Sequence, residues 1–508
     1  MSALRLKADV HLHVGYEDAT AFGGALGERA DWSIRQVYAP VIEFSEKHGN
    51  AALADAPKLL AQVVASESFQ AFATTDGQGA WAVKPELLFP EPGTARPHQF
   101  TLIREDANRH VQVGLPPHYW SDTHALVASL CSLSGLDETQ ADLHSDVRAM
   151  LEMLKREEMV APVASGAAPD ALTLADLSFI GHNAAVVRSQ RTAILVDPLL
   201  FAASAAFPED YQPLQVHELG PIDAILLTHS HVDHFDPASL MRLPKNVRVV
   251  IPKLERETLL AVDLARRLRE LGFEHVTPLE WWQSIRVGDI DVHALPFHGE
   301  QPTDDQMVHP DIRNVGNTYL LRTPTFSAAF LADSGRDGLG DVRDVVARAR
   351  HELGPIDVML SGYRGWFMYP VQHLFSSVAR YMPFVPPQLW GVRQQLMTTM
   401  DGAIDLAERW GARILIPYGD GGAPWHWRIG LGPRLDSEAH EISGFDPFPE
   451  RVRLAAAART HMPDGTSLAS SVAVLVLRPG QSLANIAGGP SVVTVPRHTW
   501  PYGDQVIA

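Results

Sequence analysis

The sequence predicts an α/β fold, in which a two-sheet sandwich follows a smaller, partly helical N-terminal domain. Two observations favour this. In the second half of the chain, short runs rich in Val, Ile, Leu and Ala each end in a polar residue. Strands of a sandwich show this pattern when they present side chains along one rim. The length, 508 residues, also exceeds one comfortable hydrophobic core, so two domains are expected.

The N-terminal domain is predicted to cover residues 1–160. Two helices are expected near its end, at 123–133 and 145–157, and the second has apolar residues at helical spacing. By fold-level analogy these helices are compatible with a small winged-helix-like unit. A linker of small residues and prolines is predicted at 161–175, and the catalytic domain at 176–508.

Composition excludes several classes of function. The formal charge of −18 argues against nucleic-acid partners and against binding to anionic membranes. There is no apolar run of about 18 residues and no signal-peptide core at the start, so we expect a cytoplasmic protein with no membrane partner. The single cysteine, Cys131, excludes an internal disulfide and a cysteine-bound iron–sulfur or Rieske cluster.

The most informative segment places His229, His231, Asp233 and His234 directly after the apolar run 222–227. Three imidazoles and one carboxylate within six residues, delivered by a buried strand, can supply ligands to two metal ions. Imidazole with carboxylate suits zinc, iron or manganese. The residues alone therefore leave the metal open.

Other strand ends carry further polar residues. His182 and Asp197 follow apolar runs upstream, and Asp333 follows one downstream. Between them lies the segment His298-Gly299-Glu300. Under strand alternation, positions 298 and 300 point the same way, so either side chain could reach a metal.

These motifs resemble the His-x-His-x-Asp-His signature of the metallo-β-lactamase superfamily over roughly residues 177–424. The resemblance implies a metallo-β-lactamase αββα sandwich. Leu-Pro-Phe-x-Gly-Glu ending at Glu300, Ala-Asp-Ser around Asp333, Gly-Pro-Ile-Asp at 354–357 and Gly-x-x-Pro-Trp ending at Trp425 resemble dinuclear-iron β-hydroxylases of the chloramphenicol type. In that group a glutamate replaces a ligand histidine of the hydrolases.

This resemblance implies a division of roles. Two iron ions would be held by the metal ligands His229, His231, Asp233, His234, Glu300 and Asp333. Of these, Glu300 would join His229 and His231 on one ion, and Asp333 would bridge. Around the ligands would lie the supporting residues Asp197, His182 and His298.

The implied function is an oxygen-dependent dinuclear-iron monooxygenase in a biosynthetic pathway, with O2 as co-substrate and a separate electron donor. Its substrate would be derived from an amino acid, either free or bound to a carrier protein. The alternative is a dinuclear zinc hydrolase of esters, amides or phosphodiesters, with His298 as ligand. A substrate pocket is predicted at Tyr363, Arg364, Trp366, Tyr369 and His426, although these residues could equally pack on the rim. The sequence leaves the oligomeric state open.

Overall fold

The computed structural model describes the greater part of the two-sheet region and several parts of the N-terminal region. The described residues are 3–7, 9–16, 73–75, 81–83, 98–106, 109–114, 120–132, 134–139, 142–163, 175–200, 213–231, 233–258, 260–301, 313–365, 367–368, 389, 392–419, 449–459 and 472–494.

The N-terminal region combines short strands with two helices. Its strands are β1 (Leu4–Leu6), β2 (Val10–Tyr16), β3 (Ala73–Thr75), β4 (Trp81–Val83), β5 (His98–Asp106), β6 (Arg109–Gly114) and β7 (Val160–Pro162). Three of them, in the order β2-β5-β6, form an antiparallel sheet, while β1 pairs with β7 and β3 with β4. Helices α1 (Trp120–Cys131) and α2 (Ser145–Arg156) confirm the two predicted helices.

Helix α2 forms where the sequence favours it. The His144 side chain accepts a hydrogen bond from the backbone N–H of Asp146 and so caps the first turn. Val147, Leu151 and Leu154 recur at helical spacing and are buried. The winged-helix comparison and the domain division at 161–175 remain predictions.

The remaining described residues form two large sheets, two small two-stranded sheets and five helices. The strands are β8 (Leu177–Gly181), β9 (Ala184–Arg188), β10 (Ala193–Val196), β11 (Ala224–Leu226), β12 (Arg248–Pro252), β13 (His275–Leu279), β14 (Ser284–Val287), β15 (Ile290–Pro296), β16 (Asn317–Arg322), β17 (Ser327–Phe330), β18 (Arg336–Asp337), β19 (Gly340–Asp341), β20 (Val358–Ser361), β21 (Phe367–Met368), β22 (Gln394–Gln395), β23 (Ile414–Pro417), β24 (Ala473–Val474), β25 (Gln481–Ala484) and β26 (Ser491–Thr494). The helices are α3 (Pro237–Met241), α4 (Leu264–Glu270), α5 (Val342–Leu353), α6 (Met400–Trp410) and α7 (Pro449–Ala458), with a short 3-10 turn at Val216–Glu218.

The first sheet has the strand order β13-β12-β11-β10-β9-β8-β25-β26 and the second β14-β15-β16-β17-β20-β23-β24. One apolar cluster fills the space between the two sheets. A second cluster lies between the second sheet and helices α5 and α6. A third joins the outer face of the first sheet to α3, α4 and the N-terminal region. The layers are therefore helix, sheet, sheet, helix, which confirms the predicted sandwich.

Parallel pairing sets where the polar strand ends meet. In the first sheet β10 and β11 run parallel, and in the second sheet β17, β20 and β23 run parallel. The carboxyl ends of parallel neighbours meet at one edge of a sheet, so the segments after these strands gather along one rim. Among the described helices, none is both long and apolar enough to cross a membrane.

Candidate metal centre

Three overlapping groups of metal-binding side chains lie on that rim. Each group has one ligand atom per residue, and within each group these atoms lie within 4.8 Å of one another. The first group joins His229, His231 and Glu300. The Glu300 Oε2 atom lies 2.9 Å from His229 Nε2 and 2.7 Å from His231 Nδ1. Two imidazoles and one carboxylate thus converge on a single point.

The second group joins His182, Asp233 and His234. His182 Nε2 lies 2.9 Å from Asp233 Oδ2, and His234 Nε2 lies 3.8 Å from the same oxygen. From the sequence, His182 was expected to have a supporting role. The structure instead brings its ring into a ligand group.

The third group connects the other two. Asp333 Oδ2 lies 3.0 Å from His234 Nε2, and the Asp333 carboxylate also shares a group with His229. One member of this group therefore belongs to the first group and one to the second. A carboxylate in that position is placed to bridge two ions.

Glu300 reaches its group through a left-handed turn. Strand β15 ends at Pro296, and the backbone then adopts φ +98° at Gly299 and φ +51° at Glu300. An added Cβ at Gly299 would lie 2.6 Å from the backbone nitrogen of Gly335, so glycine is required there. The expectation that 298 and 300 point the same way is wrong, because strand alternation ends before them.

His298 points away from the ligand groups. Its Nδ1 lies 3.1 Å from Asp337 Oδ1, and its ring lies 5.3 Å from that of Trp281. Among the described residues His298 belongs to none of the three groups. By strand alternation either His298 or Glu300 could reach a metal, and only Glu300 lies in a ligand group.

Asp337 anchors this turn and was missed by the sequence analysis. Its buried carboxylate accepts five hydrogen bonds of 2.8 to 3.2 Å, from His298 Nδ1, Gly299 N, Arg313 Nη2, Leu339 N and Gly340 N. Asn314 Nδ2 in addition donates to Glu300 Oε2 at 3.2 Å. Asp is a common residue in tight turns, so the residues around Asp337 did not indicate that it accepts this set of hydrogen bonds.

Asp197 orients His234 from the first sheet. It accepts hydrogen bonds from Thr228 N at 2.7 Å, Thr228 Oγ1 at 2.6 Å and His234 Nδ1 at 2.8 Å. With one proton held on Nδ1, the Nε2 atom of His234 faces Asp333 and Asp233 and is the nitrogen that can bind a metal once it gives up its own proton. This is the arrangement by which a carboxylate fixes the tautomer of a ligand histidine.

Unfavourable backbone conformations concentrate at these groups. Seven non-glycine residues of the described part have positive φ, and four of them are His182, Asp197, Glu300 and Ala332. Ala332 directly precedes Asp333. Such conformations cost free energy and cluster at functional sites, so this rim has the backbone signature of a site rather than of a packed edge.

Burial and neighbouring charges shift the pKa values of these side chains in opposite directions. Burial lowers the pKa of His229 well below its usual value, which leaves a neutral imidazole. Burial also acts to lower the pKa of His234, but the carboxylates of Asp333, Asp233 and Asp197 outweigh it and raise that pKa well above its usual value. For Asp233, burial is outweighed by His234 and His182, and the pKa of the carboxyl falls well below its usual range.

The donor atoms fit a dinuclear metal centre. Three fully buried atoms, His229 Nε2, Asp333 Oδ1 and Asn183 Oδ1, make no hydrogen bond, although buried polar atoms normally have a partner. Two atoms bound at about 2.1 Å to one ion at right angles lie roughly 3 Å apart. The Glu300 contacts with His229 and His231, and the His182–Asp233 and His234–Asp333 contacts, at 2.7 to 3.0 Å, match that separation.

The predicted substrate pocket is only partly described. Tyr363 is fully buried in the apolar cluster beneath α5 and α6, as the packing alternative expects, and its place in a substrate pocket stays a prediction. Arg364 donates from Nη1 to the carbonyl of Gly419 at 3.2 Å, beside the end of β23. Trp366, Tyr369 and His426 lie outside the described residues.

Comparisons with known proteins show which sequences and folds this chain resembles. The model of the family described as Beta-lactamase superfamily domain matches residues 192–418. The 4-amino-L-phenylalanyl-[CmlP-peptidyl-carrier-protein] 3-hydroxylase of Streptomyces venezuelae is 31% identical over 190 residues, which are 37% of this chain and 33% of that protein. A Mycolicibacterium smegmatis protein assigned to the Rieske 2Fe-2S iron–sulfur type is 26% identical over 303 residues, 56% of this chain and 50% of that one.

The crystal structure of CmlA, a diiron beta-hydroxylase from Streptomyces venezuelae, superposes with a TM-score of 0.62. It covers 97% of this chain and 100% of the other at 16% identity, and it shows that the two share a fold. The chain spans between a third and a half of the length of the two sequence relatives named above.

Proposed function

We propose that this chain, whose residues 192–418 carry a Beta-lactamase superfamily domain, is an oxygen-dependent dinuclear-iron monooxygenase. The observation that carries the proposal is Glu300, which lies in the ligand group of His229 and His231 while His298 lies outside it. Zinc hydrolases of this fold class would place a histidine there. A carboxylate in its place adds a harder, anionic donor, which favours iron.

The ligands divide into two sets under this proposal. His229, His231 and Glu300 hold the first ion. His182, Asp233 and His234 would hold the second, and Asp333 would contact both. Four imidazoles and three carboxylates leave coordination positions open on each ion, as a reactive centre requires and a closed structural site does not.

When bound, the two irons supply activation of O2. One oxygen atom enters a C–H or N–H bond of the substrate, and the other leaves as water after two electrons and two protons are taken up. The chain's own part is to hold the donors in place. Asp197 fixes His234 through its Nδ1, and Asp337 and Asn314 fix the turn that presents Glu300.

The substrate belongs to the same proposal. The Streptomyces venezuelae relative is named for hydroxylation of an amino acid attached to a peptidyl carrier protein. We extend to this chain an amino-acid-derived substrate, carrier-bound or free, and a separate electron donor. Support comes from the sequence similarity over the matched third of that relative and from the fold shared with CmlA.

Metal analysis combined with oxygen uptake tests the proposal. The chain, expressed with iron supplied and purified without chelators, should contain about two irons and show a visible absorption band. Reduction should remove the band, and O2 should restore it. Two tightly bound zinc ions, no iron uptake and no oxygen consumption by the reduced protein would overturn the proposal and support the hydrolase.

A further inference from the structure

Asn183 is a fully buried amide beside the second ligand group that no role yet accounts for. Its Nδ2 atom lies 2.8 Å from His234 Nε2 and 3.0 Å from His182 Nε2. Its Oδ1 atom is buried and makes no hydrogen bond. The amide therefore faces the two imidazole nitrogens that Asp233 also approaches.

The chemistry of these nitrogens excludes the amide N–H as their partner once an ion is bound. Asp197 accepts a hydrogen bond from Nδ1 of His234, so in the metal-bound state the Nε2 lone pair would point towards Asn183 and the ligand group. A lone pair that binds a metal cannot also accept a hydrogen bond. The two ends of an amide exchange places by a half-turn about the last side-chain torsion. After that turn, Oδ1 would lie about 3 Å from both nitrogens, the separation of neighbouring ligands on one ion.

The backbone explains how two consecutive residues reach one ion. Neighbouring residues of a strand point to opposite faces. Here the turn between β8 and β9 has φ +141° at Gly181 and φ +52° at His182, which brings the His182 and Asn183 side chains together. Across the site, an added Cβ at Gly419 would lie 2.9 Å from Asn183 Oδ1, so glycine keeps that space open.

From these contacts we infer that Asn183 is a ligand of the second metal ion, donating Oδ1 beside His182, Asp233 and His234. The inference rests on the dinuclear centre of the proposed function, but not on its oxygen chemistry. An amide oxygen is a hard, neutral donor, so it raises the preference of this position for iron over zinc without adding charge.

Two substitutions with opposite expectations test the assignment. Asn183→Leu keeps the approximate volume and removes the oxygen. Asn183→Asp keeps an oxygen donor and removes the amide N–H. In anaerobic titrations with ferrous iron, wild type and Asn183→Asp should bind two ions, the aspartate variant at least as tightly. Asn183→Leu should bind one ion with wild-type affinity. Its affinity for the other ion should fall by at least about 10- to 100-fold.

Asn317→Leu is the matched control. Asn317 is equally buried, and its amide donates to the carbonyl of Leu279 at 3.2 Å, outside the ligand groups. This variant should bind two ions with wild-type affinity. Circular dichroism of each metal-free variant checks folding, and Asn183→Ala replaces the leucine variant if that one does not fold.

The outcomes separate the inference from the proposed function. Wild-type affinity for both ions in Asn183→Leu would show that Asn183 is not a ligand, while the dinuclear centre stands. Loss of the second ion in both Asn183→Leu and Asn183→Asp would show that the amide N–H is what matters, and would also overturn the inference. If wild type binds fewer than two ferrous or zinc ions, the dinuclear centre fails and the inference fails with it.

Discussion

Replacing Glu300 by alanine, beside the same change at His298, distinguishes the oxygenase from the hydrolase. The two side chains are two residues apart and are both buried, with 2% and 6% exposed surface. Only Glu300 lies within 3 Å of His229 and His231, at 2.9 and 2.7 Å. The two substitutions therefore remove similar buried groups, of which only one is placed to bind a metal.

The expected magnitude follows from these contacts. Loss of a group that merely supports a ligand typically weakens metal binding by 10- to 100-fold. Loss of one of three protein ligands should cost at least about 100-fold, or about 2.7 kcal/mol of binding free energy. Removal of Glu300 should have only a limited effect on the stability of the metal-free protein. Glu300 raises the pKa of His231 against the opposing effect of burial, and without Glu300 that imidazole can release its proton.

Equilibrium titration with ferrous iron under anaerobic conditions, followed by metal analysis after gel filtration, measures the result. Wild type and His298→Ala should retain about two ions, and Glu300→Ala about one. If His298→Ala loses an ion and Glu300→Ala keeps both, the ligand set is that of the zinc hydrolases and the reasoning from the Gly299–Glu300 turn is refuted.

Two further predictions concern residues that support the ligands, and a third concerns the buried Lys245. Asp197→Asn should lower the affinity for the second ion by about 10- to 100-fold in the same titration, because the side chain at 197 no longer fixes His234 as a carboxylate does. An unchanged affinity would contradict this role. Asp337→Asn should weaken the ion held by Glu300 to a similar extent, whereas Asp357→Asn, which removes a carboxylate bonded to Ser327 and Arg413 at the opposite end of the sheet, should not. Lys245 gives a pH dependence of stability. Burial lowers the pKa of Lys245 to about 7, so above pH 7 the folded state loses a proton that the unfolded state keeps. The free energy of unfolding should then rise between about pH 7 and 8.5, by at most about 1.4 kcal/mol per pH unit, in urea denaturation. Lys245→Met should flatten this slope, and an equal slope in both proteins would exclude Lys245 as its cause.

The sandwich and the main histidine cluster could be predicted because both are local patterns. The apolar runs before His229 and before Asp333 each form a buried strand, β11 and β17, and each strand ends just before its polar residues. Strand burial and strand ends follow from a few neighbouring residues. The gathering of these ends on one rim then follows from parallel pairing.

The direction of individual side chains could not be predicted in the same way. Strand alternation stops at Pro296, and the left-handed residues Gly299 and Glu300 decide that Glu300 faces the histidines while His298 faces Asp337. The same applies to His182, whose positive φ turns it into a ligand group. Positive φ at a non-glycine residue leaves no local signal in a single sequence.

Tyr363 shows a second limit. Aromatic residues after a strand end can line a pocket or pack beneath the sheet, and composition does not distinguish the two. Helices α5 and α6 cover the outer face of the second sheet, and Tyr363 is buried beneath them with Trp410. The tertiary packing of distant helices decides the outcome, and that information is absent from the residues around position 363.

Protonation of the ligand histidines explains how the buried carboxylates of the site lie close together without a metal. In the metal-free protein, protons stabilise a cluster that would otherwise hold several buried carboxylates close together. The pKa values of His231 and His234 are raised, because neighbouring carboxylates outweigh burial at both. A metal ion must displace these protons in order to bind, so apparent affinity should increase with pH until both imidazoles are neutral in the metal-free state. The contacts of Glu300 with His231 and of Asp197 with His234 are therefore present before an ion arrives, and the site is organised in advance of the metal.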